Sequence, residues 1–144
     1  MNDRKPLADD TVLDRNRRIE MTMQVYKIWT TNTMLQNVNS AWLVLNANKD
    51  KVNLSKLSPT DKVAVNAVLS FFRKLRVLIT RQDDVIDKAL AADLFLEDTV
   101  YWMARFDRLT CDPEAEEDEA VLEWYRNRIR NLPNDLRPLM REGA

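Results

Sequence analysis

Apolar residues recur every three or four positions along most of the chain, which is the period of an α-helix. The broadest stripe comprises Ala64, Ala67, Val68, Phe71, Leu75 and Leu78, flanked by Val65, Phe72 and Ile79. A face this wide is typical of a central helix that packs against several neighbours. Ser58, Pro59 and Asp61 precede it and supply an N-cap hydroxyl, a first-turn proline and a first-turn acid. We therefore predict that this helix begins just after Ser58.

The first half of the chain has a second stripe, which is interrupted by the polar run Thr30–Thr33. Its members are Ile19, Met23, Tyr26, Thr30, Met34, Val38, Trp42 and Leu45. Because threonine and asparagine are weak helix formers and good N-caps, we predict a break at this run. Two helices result, at about 11–30 and 33–48, with one long helix as the alternative. Residues 1–10 are polar, and we predict that they form a flexible N-terminus.

Downstream of the central helix, the pattern predicts shorter helices. We predict a loop over 48–57, and a short helix that is capped by Asp83 or Asp84 and ends near Ala92. The next predicted helix has a narrow apolar seam formed by Phe95, Thr99, Trp102, Phe106 and Leu109.

A further helix is predicted to start at Asp112-Pro113 and to stop at Pro133. Its buried face consists of Leu122, Tyr125, Ile129 and Leu132, and 135–141 adds a last turn or two. No stretch alternates apolar and polar residues cleanly enough to predict a strand. The predicted fold is all-α, a single compact bundle of six or seven helices, with residues 11–144 as a single helical domain.

Composition excludes most catalytic chemistry. The 144 residues contain no histidine, one glycine (Gly143) and one cysteine (Cys111). Histidine is the commonest general acid or base and the commonest metal ligand, and glycine-rich loops hold phosphates. We therefore predict a protein that is not an enzyme, without catalytic residues, cofactor or metal. The alternative is a magnesium-dependent all-α nucleotide hydrolase using Asp84, Asp87, Glu97 and Asp98, although such enzymes have a denser pattern of paired acids.

Two features predict a cytoplasmic protein without a membrane segment. The N-terminus lacks the apolar core of a signal peptide, and a lone cysteine suits a reducing compartment. The run 28–48 is charge-free over 21 residues, which is long enough to span a membrane, but it contains five asparagines. Amides are costly in hydrocarbon, so we interpret it as a soluble segment.

Charge is unevenly placed along the chain. Residues 1–81 have 14 Lys/Arg against 7 Asp/Glu, whereas residues 82–119 have 3 against 13. The first interpretation is that these segments pack together and neutralise each other, and the second is an acidic surface that meets a basic partner. The arginine clusters at 15–18, 73–81 and 126–130 resemble a phosphate-binding pattern, but a pI of about 5.6 argues against direct nucleic-acid binding.

Acidic and aromatic residues together suggest a protein-binding surface, because exposed aromatic side chains anchor many interfaces. The predicted partner-binding residues are Glu114, Glu116, Glu117, Asp118, Glu119, Tyr101, Trp102, Trp124 and Tyr125. We predict a non-catalytic protein-binding module: an adaptor, regulator or stoichiometric inhibitor, such as a bacterial or phage accessory or anti-defence factor. Its partner is predicted to be a protein, such as a basic surface of a nucleic-acid-handling complex. A self-associating structural module, forming a homodimer through its oppositely charged segments, is the alternative.

Residues 65–105 resemble an uncharacterised bacterial all-helical family of unknown function. The resemblance rests on Val68-Leu69-Ser70-Phe71-Phe72, a charged turn, Asp84-Val85-Ile86-Asp87, Phe95 and Tyr101-Trp102. The chain departs from that family in lacking a glycine near Thr80–Gln82 and a preceding membrane helix. The resemblance implies an all-α fold and no activity.

Overall fold

A computed structural model describes the backbone of residues 5–47, 51–110 and 116–131, and side chains over 12–47, 51–110 and 117–131. The helices of these residues are α1 (Lys5–Trp29), α2 (Asn32–Ala47), α3 (Pro59–Thr80), α4 (Lys88–Phe106) and α5 (Glu116–Arg130). The all-α prediction is confirmed. The described part of the chain has five α-helices rather than six or seven. The predicted helix start at Asp112-Pro113 and the predicted turns at 135–141 lie outside it.

The predicted break between the first two helices is confirmed. α1 ends at Trp29 and α2 begins at Asn32, and the Thr31 side chain joins them. Its hydroxyl donates to the Ile28 carbonyl at 2.9 Å and accepts from the Met34 amide at 3.2 Å. Threonine thus closes one helix and caps the next, as the polar run predicted. α1 begins at Lys5, six residues before the predicted start at Thr11.

α3 is the central helix, and its predicted start is confirmed. The Ser58 side chain accepts from the Asp61 amide at 3.2 Å, and Pro59 occupies the first turn. Its buried residues are Ala64, Val65, Val68, Leu69, Phe71, Phe72 and Leu75. The Phe71 ring packs 4.5 Å from the Trp29 ring, and the Phe72 ring packs 5.5 Å from the Tyr125 ring. α3 therefore joins α1 on one side to α5 on the other.

The prediction of two helices over 83–109 is wrong. One continuous helix, α4, runs from Lys88 to Phe106, because its first half is rich in alanine and leucine and contains no residue that ends a helix. Its N-cap is Asp87, which accepts from the Leu90 amide at 3.0 Å, and neither Asp83 nor Asp84 caps it. Asp84 instead adopts a positive φ of 49° in the preceding turn.

Two very short strands also depart from the prediction. β1 (Val52–Asn53) pairs in parallel with β2 (Leu109–Thr110), and the Val52 amide donates to the Arg108 carbonyl at 2.6 Å. A two-residue strand is too short to leave an alternating pattern in the sequence. Leu109 therefore lies in a strand rather than at the end of the helical seam.

A buried threonine joins α1 to the start of α4. Thr22 is 0% exposed, and its hydroxyl donates to the Arg18 carbonyl at 2.6 Å. The same oxygen accepts from the Asp87 amide at 2.8 Å. Both hydrogen-bonding functions of this buried hydroxyl are satisfied, so the first helix is held at the N-cap of α4.

Candidate functional site

The predicted acidic surface is partly neutralised within the protein. Asp118 forms an ion pair with Arg73 of α3, and Glu117 lies 3.7 Å from the same guanidinium. Arg126 similarly approaches Asp107 at 3.0 Å. The contacts of Arg73 support the interpretation that the basic segment 1–81 and the acidic segment 82–119 pack together.

The remaining acids of this set have different environments. Glu117 and Glu119 are exposed, and Asp118 is half-buried. Glu116 is described only as the first residue of α5, and Glu114 lies outside the described residues. Among the acids of this set whose side chains are described, Glu117 and Glu119 face solvent.

Two of the predicted aromatic contact residues belong to the core. Trp102 and Tyr125 are each 2% exposed, because the seams of α4 and α5 turn them inward. The Tyr125 hydroxyl donates to the Phe72 carbonyl at 2.6 Å, and burial raises the pKa of Tyr125. Contrary to the prediction, neither Trp102 nor Tyr125 presents a side chain at the surface where a partner could contact it.

The other two aromatic residues are half-buried and lie in different surroundings. The Tyr101 hydroxyl accepts from the Trp42 indole of α2, and the Arg105 guanidinium lies 4.3 Å from the Tyr101 ring. Trp124 has two guanidiniums near its ring centre, Arg128 at 4.8 Å and Arg76 at 5.7 Å. The structure therefore splits the predicted aromatic surface into two arginine-containing clusters.

The outer face of α2 is a surface that the sequence analysis did not select. We define this outer face as Leu35, Asn39, Trp42 and Leu43, which share one side of the helix. Leu35 is 44% exposed, Trp42 is 42% exposed and Leu43 is 61% exposed. α2 contains no Asp, Glu, Lys or Arg. The charge-free run was the available signal, and it was considered only as a possible membrane span, which its asparagines argued against.

A groove of about 430 Å³ lies where α3, α4 and α5 meet. Its walls are mainly apolar and include Leu75, Ile79, Phe95, Leu96, Trp124 and Ile129. Asn127 and Arg128 of α5, and Asn131 directly after it, line the same groove with polar groups. The arrangement combines an apolar interior with a polar and cationic rim, which is a common form of ligand site.

The acids considered for magnesium have structural surroundings instead. Asp84 lies 3.1 Å from the Lys88 ammonium, Asp87 is an N-cap and Glu97 is exposed. Burial raises the pKa of the Asp98 carboxyl, the neighbouring Glu97 raises it further, and a hydrogen bond with the Trp29 side chain opposes the rise. Within the described ranges, no three acidic or cysteine side chains cluster closely enough to hold a metal ion.

Comparison of the chain with protein-family models, curated proteins and solved structures gave no match in any of the three. The resemblance of residues 65–105 to an uncharacterised bacterial family stays a prediction. Over the part of the chain that the structure describes, no helix is both long and apolar enough to cross a bilayer.

Proposed function

We propose that this chain is a non-catalytic helical module that binds another protein, as an adaptor, regulator or stoichiometric inhibitor. The observation that supports this most strongly is the outer face of α2. In a chain with 31% charged residues, a 16-residue helix without any charge exposes a tryptophan and two leucines together. Clustered exposed apolar side chains are typical of protein interaction sites, and tryptophan is the residue most enriched among binding hot spots.

The chemistry of this face indicates the chemistry of the partner. A charged partner surface would lose its hydration against an uncharged face and gain no ion pair in return. A helix or sheet face with apolar and amide side chains loses little hydration on contact, and it buries the two leucines and the indole. We therefore propose an uncharged partner surface opposite Leu35, Trp42 and Leu43, with amides such as Asn39 supplying hydrogen bonds.

Tyr101 extends this face onto α4. Because the Trp42 indole donates to the Tyr101 hydroxyl, the tryptophan is held in one orientation before any partner arrives. A side chain that is already ordered loses less conformational entropy on binding. Tyr101 is the residue of the sequence-predicted surface that belongs to this proposed contact.

Affinity capture from a lysate of the source organism, followed by reconstitution with the purified partner, tests the proposal. We expect Leu43→Lys to weaken the reconstituted complex at least about tenfold, because it places a charge inside an apolar contact. Val63→Lys is the matched control, since Val63 of α3 is an equally exposed apolar residue at 64% and lies outside the α2 face. Equal loss in both variants, or in neither, contradicts the proposed surface.

The acidic surface is tested separately by charge reversal at Glu117 and Glu119, together with Glu116. A partner with a basic surface requires binding to fall in this variant and to weaken with added salt. Asp118 is left intact, so the variant keeps its ion pair with Arg73 and loses only the 3.7 Å contact of Glu117 with the same guanidinium. Unchanged affinity removes the acidic residues from the interface.

Self-association is the second candidate, and the same α2 face favours it, since an uncharged helix face can pack against its own copy. Sedimentation of the purified chain over a range of concentrations distinguishes the two. A dimer that Leu43→Lys dissociates and added salt does not would make the second copy the partner. A dimer that salt dissociates would instead support pairing of the oppositely charged segments.

A further inference from the structure

The groove between α3, α4 and α5 is independent of the α2 face and has a different chemistry. Its volume of about 430 Å³ suits a small ligand rather than a packing defect, since ligand sites range from about 300 to 1,000 Å³. The walls come from three helices, with Leu75 and Ile79 from α3, Leu96 from α4 and Ile129 from α5. An apolar chain placed there is surrounded on several sides.

One arginine lines this groove, and a second lies near the Trp124 ring that forms part of its wall. The first is Arg128, which approaches the same ring, and the second is Arg76. Among the described residues, no carboxylate lies within ion-pair distance of either guanidinium, whereas Arg73, Arg81, Arg126 and Arg130 all have acidic partners. The groove thus joins an apolar interior to one lining cation, Arg128, with Arg76 near its wall, and no described carboxylate neutralises either of them.

We propose that this groove binds a small amphiphile with an apolar chain and a single anionic head group, of the medium-chain carboxylate type. The chain lies against Leu75, Ile79 and Leu96, and the head group accepts hydrogen bonds from Arg128 and from the rim amides of Asn127 and Asn131. A guanidinium forms strong charge-assisted hydrogen bonds with a carboxylate, and Arg76 adds a second positive charge. The apolar walls and the cationic rim are complementary to the two ends of one such molecule.

Isothermal titration of the full chain with octanoate and with octan-1-ol tests the charge and the apolar chain separately. We expect saturable binding of one octanoate per chain, and binding of octan-1-ol at least about fivefold weaker because it lacks the anionic group. The indole signal of Trp124 in an NMR spectrum should shift with octanoate. Failure of octanoate to saturate, including the case in which another part of the chain fills the groove, overturns the proposal.

Three variants locate the binding. Arg128→Gln should weaken octanoate binding about three- to tenfold and leave octan-1-ol unchanged. Arg126→Gln, two residues earlier on α5 and paired with Asp107 at 3.0 Å, is the matched control and should bind octanoate normally. Ala92→Trp introduces a large ring at an exposed position that lines the groove, so it should abolish binding of both ligands. Equal losses in the two arginine variants, or normal binding by Ala92→Trp, would refute the assignment.

Neither the α2 face nor its partner enters this test. Leu43→Lys should bind octanoate as the unmodified chain does, and Arg128→Gln should retain the protein partner. The two proposals therefore fail independently of each other.

Discussion

α2 and α5 are helices of similar length whose solvent-facing sides differ in charge. α2 has 16 residues and no charge, whereas α5 has 15 residues, of which eight are charged. Both bury an apolar side: α2 buries Met34, Ala41, Val44 and Leu45, and α5 buries Val121, Leu122, Tyr125 and Ile129. The two helices thus differ on their outer sides and not on their inner ones.

This difference distinguishes the side chains that folding requires from those that it does not require. Folding accounts for the buried side of each helix, and hydration accounts for the charged outer side of α5. Neither accounts for exposed Leu35, Trp42 and Leu43 on α2, because charged residues at these positions would leave the core contacts intact. Of these two helices, α2 is therefore the one whose outer side is best explained by a contact outside the fold.

The largest effect should be the same in both helices, since it concerns their buried sides. Leu45 and Leu122 are both 0% exposed. We expect Leu45→Ala and Leu122→Ala each to lower the free energy of unfolding by about 2–5 kcal/mol, because each leaves a cavity in the core. Urea unfolding of the two variants measures this. If Leu45→Ala alone lowers the free energy of unfolding by less than about 1 kcal/mol, α2 packs only loosely on the core. The exposed side chains of its outer face would then be no evidence for a binding surface.

A smaller effect should separate two tyrosines on the two sides of the molecule. Tyr125→Phe removes a buried hydrogen bond to the Phe72 carbonyl of α3, and we expect a loss of about 1–2 kcal/mol in the free energy of unfolding. Tyr101→Phe removes an exposed acceptor for the Trp42 indole, which water can replace, so we expect a change within about 0.5 kcal/mol. Thermal and urea unfolding of both variants provide the comparison. Equal losses would mean that the Trp42–Tyr101 contact belongs to the folding core.

The sequence predicted the helices well where local chemistry decides the structure. Thr31 at the helix break and Ser58 at the start of α3 each cap a helix with their own side chain, and such caps depend on neighbouring residues alone. Local chemistry alone did not predict the start of α4, which Asp87 caps instead of Asp83 or Asp84. Asp83, Asp84 and Asp87 are all good caps, and a tertiary contact distinguishes them: the Asp87 amide donates to buried Thr22 of α1.

The candidate site was less predictable for a related reason. Helical spacing already placed Trp102 and Tyr125 on the apolar sides of their helices, with Tyr101 and Trp124 about 100° away, but it does not show what surrounds the latter two. Only the packing of α3 against α5 shows that Trp124 meets Arg76 and Arg128. Likewise, the charge-free composition of α2 is visible in the sequence, whereas the exposure of Leu43 requires its neighbours to be known.

The smallest predicted effect concerns two half-buried carboxylates, Asp118 of α5 and Asp98 of α4, which have different surroundings. On the α5 side, Asp118 is paired with Arg73. On the α1 side, Asp98 has no ion pair among the described residues, and burial raises the pKa of its carboxyl despite a hydrogen bond with the Trp29 side chain. Since the folded state holds this proton more tightly than the unfolded chain, stability falls as pH rises from the unfolded pKa through the raised folded pKa.

Asp98→Asn should remove that loss. We expect the variant to unfold at a slightly higher temperature than the unmodified chain at pH 7, because a neutral amide keeps an oxygen near the Trp29 indole without placing a charge there. Below the unfolded pKa, where the aspartate is protonated in both states, the advantage should disappear. Asp93→Asn, on the exposed side of α4, is the control and should show no such pH-dependent gain. If Asp98→Asn instead destabilises the protein at pH 7, the Asp98 carboxylate has an ionic partner. The contrast between a paired Asp118 and an unpaired Asp98 would then be wrong.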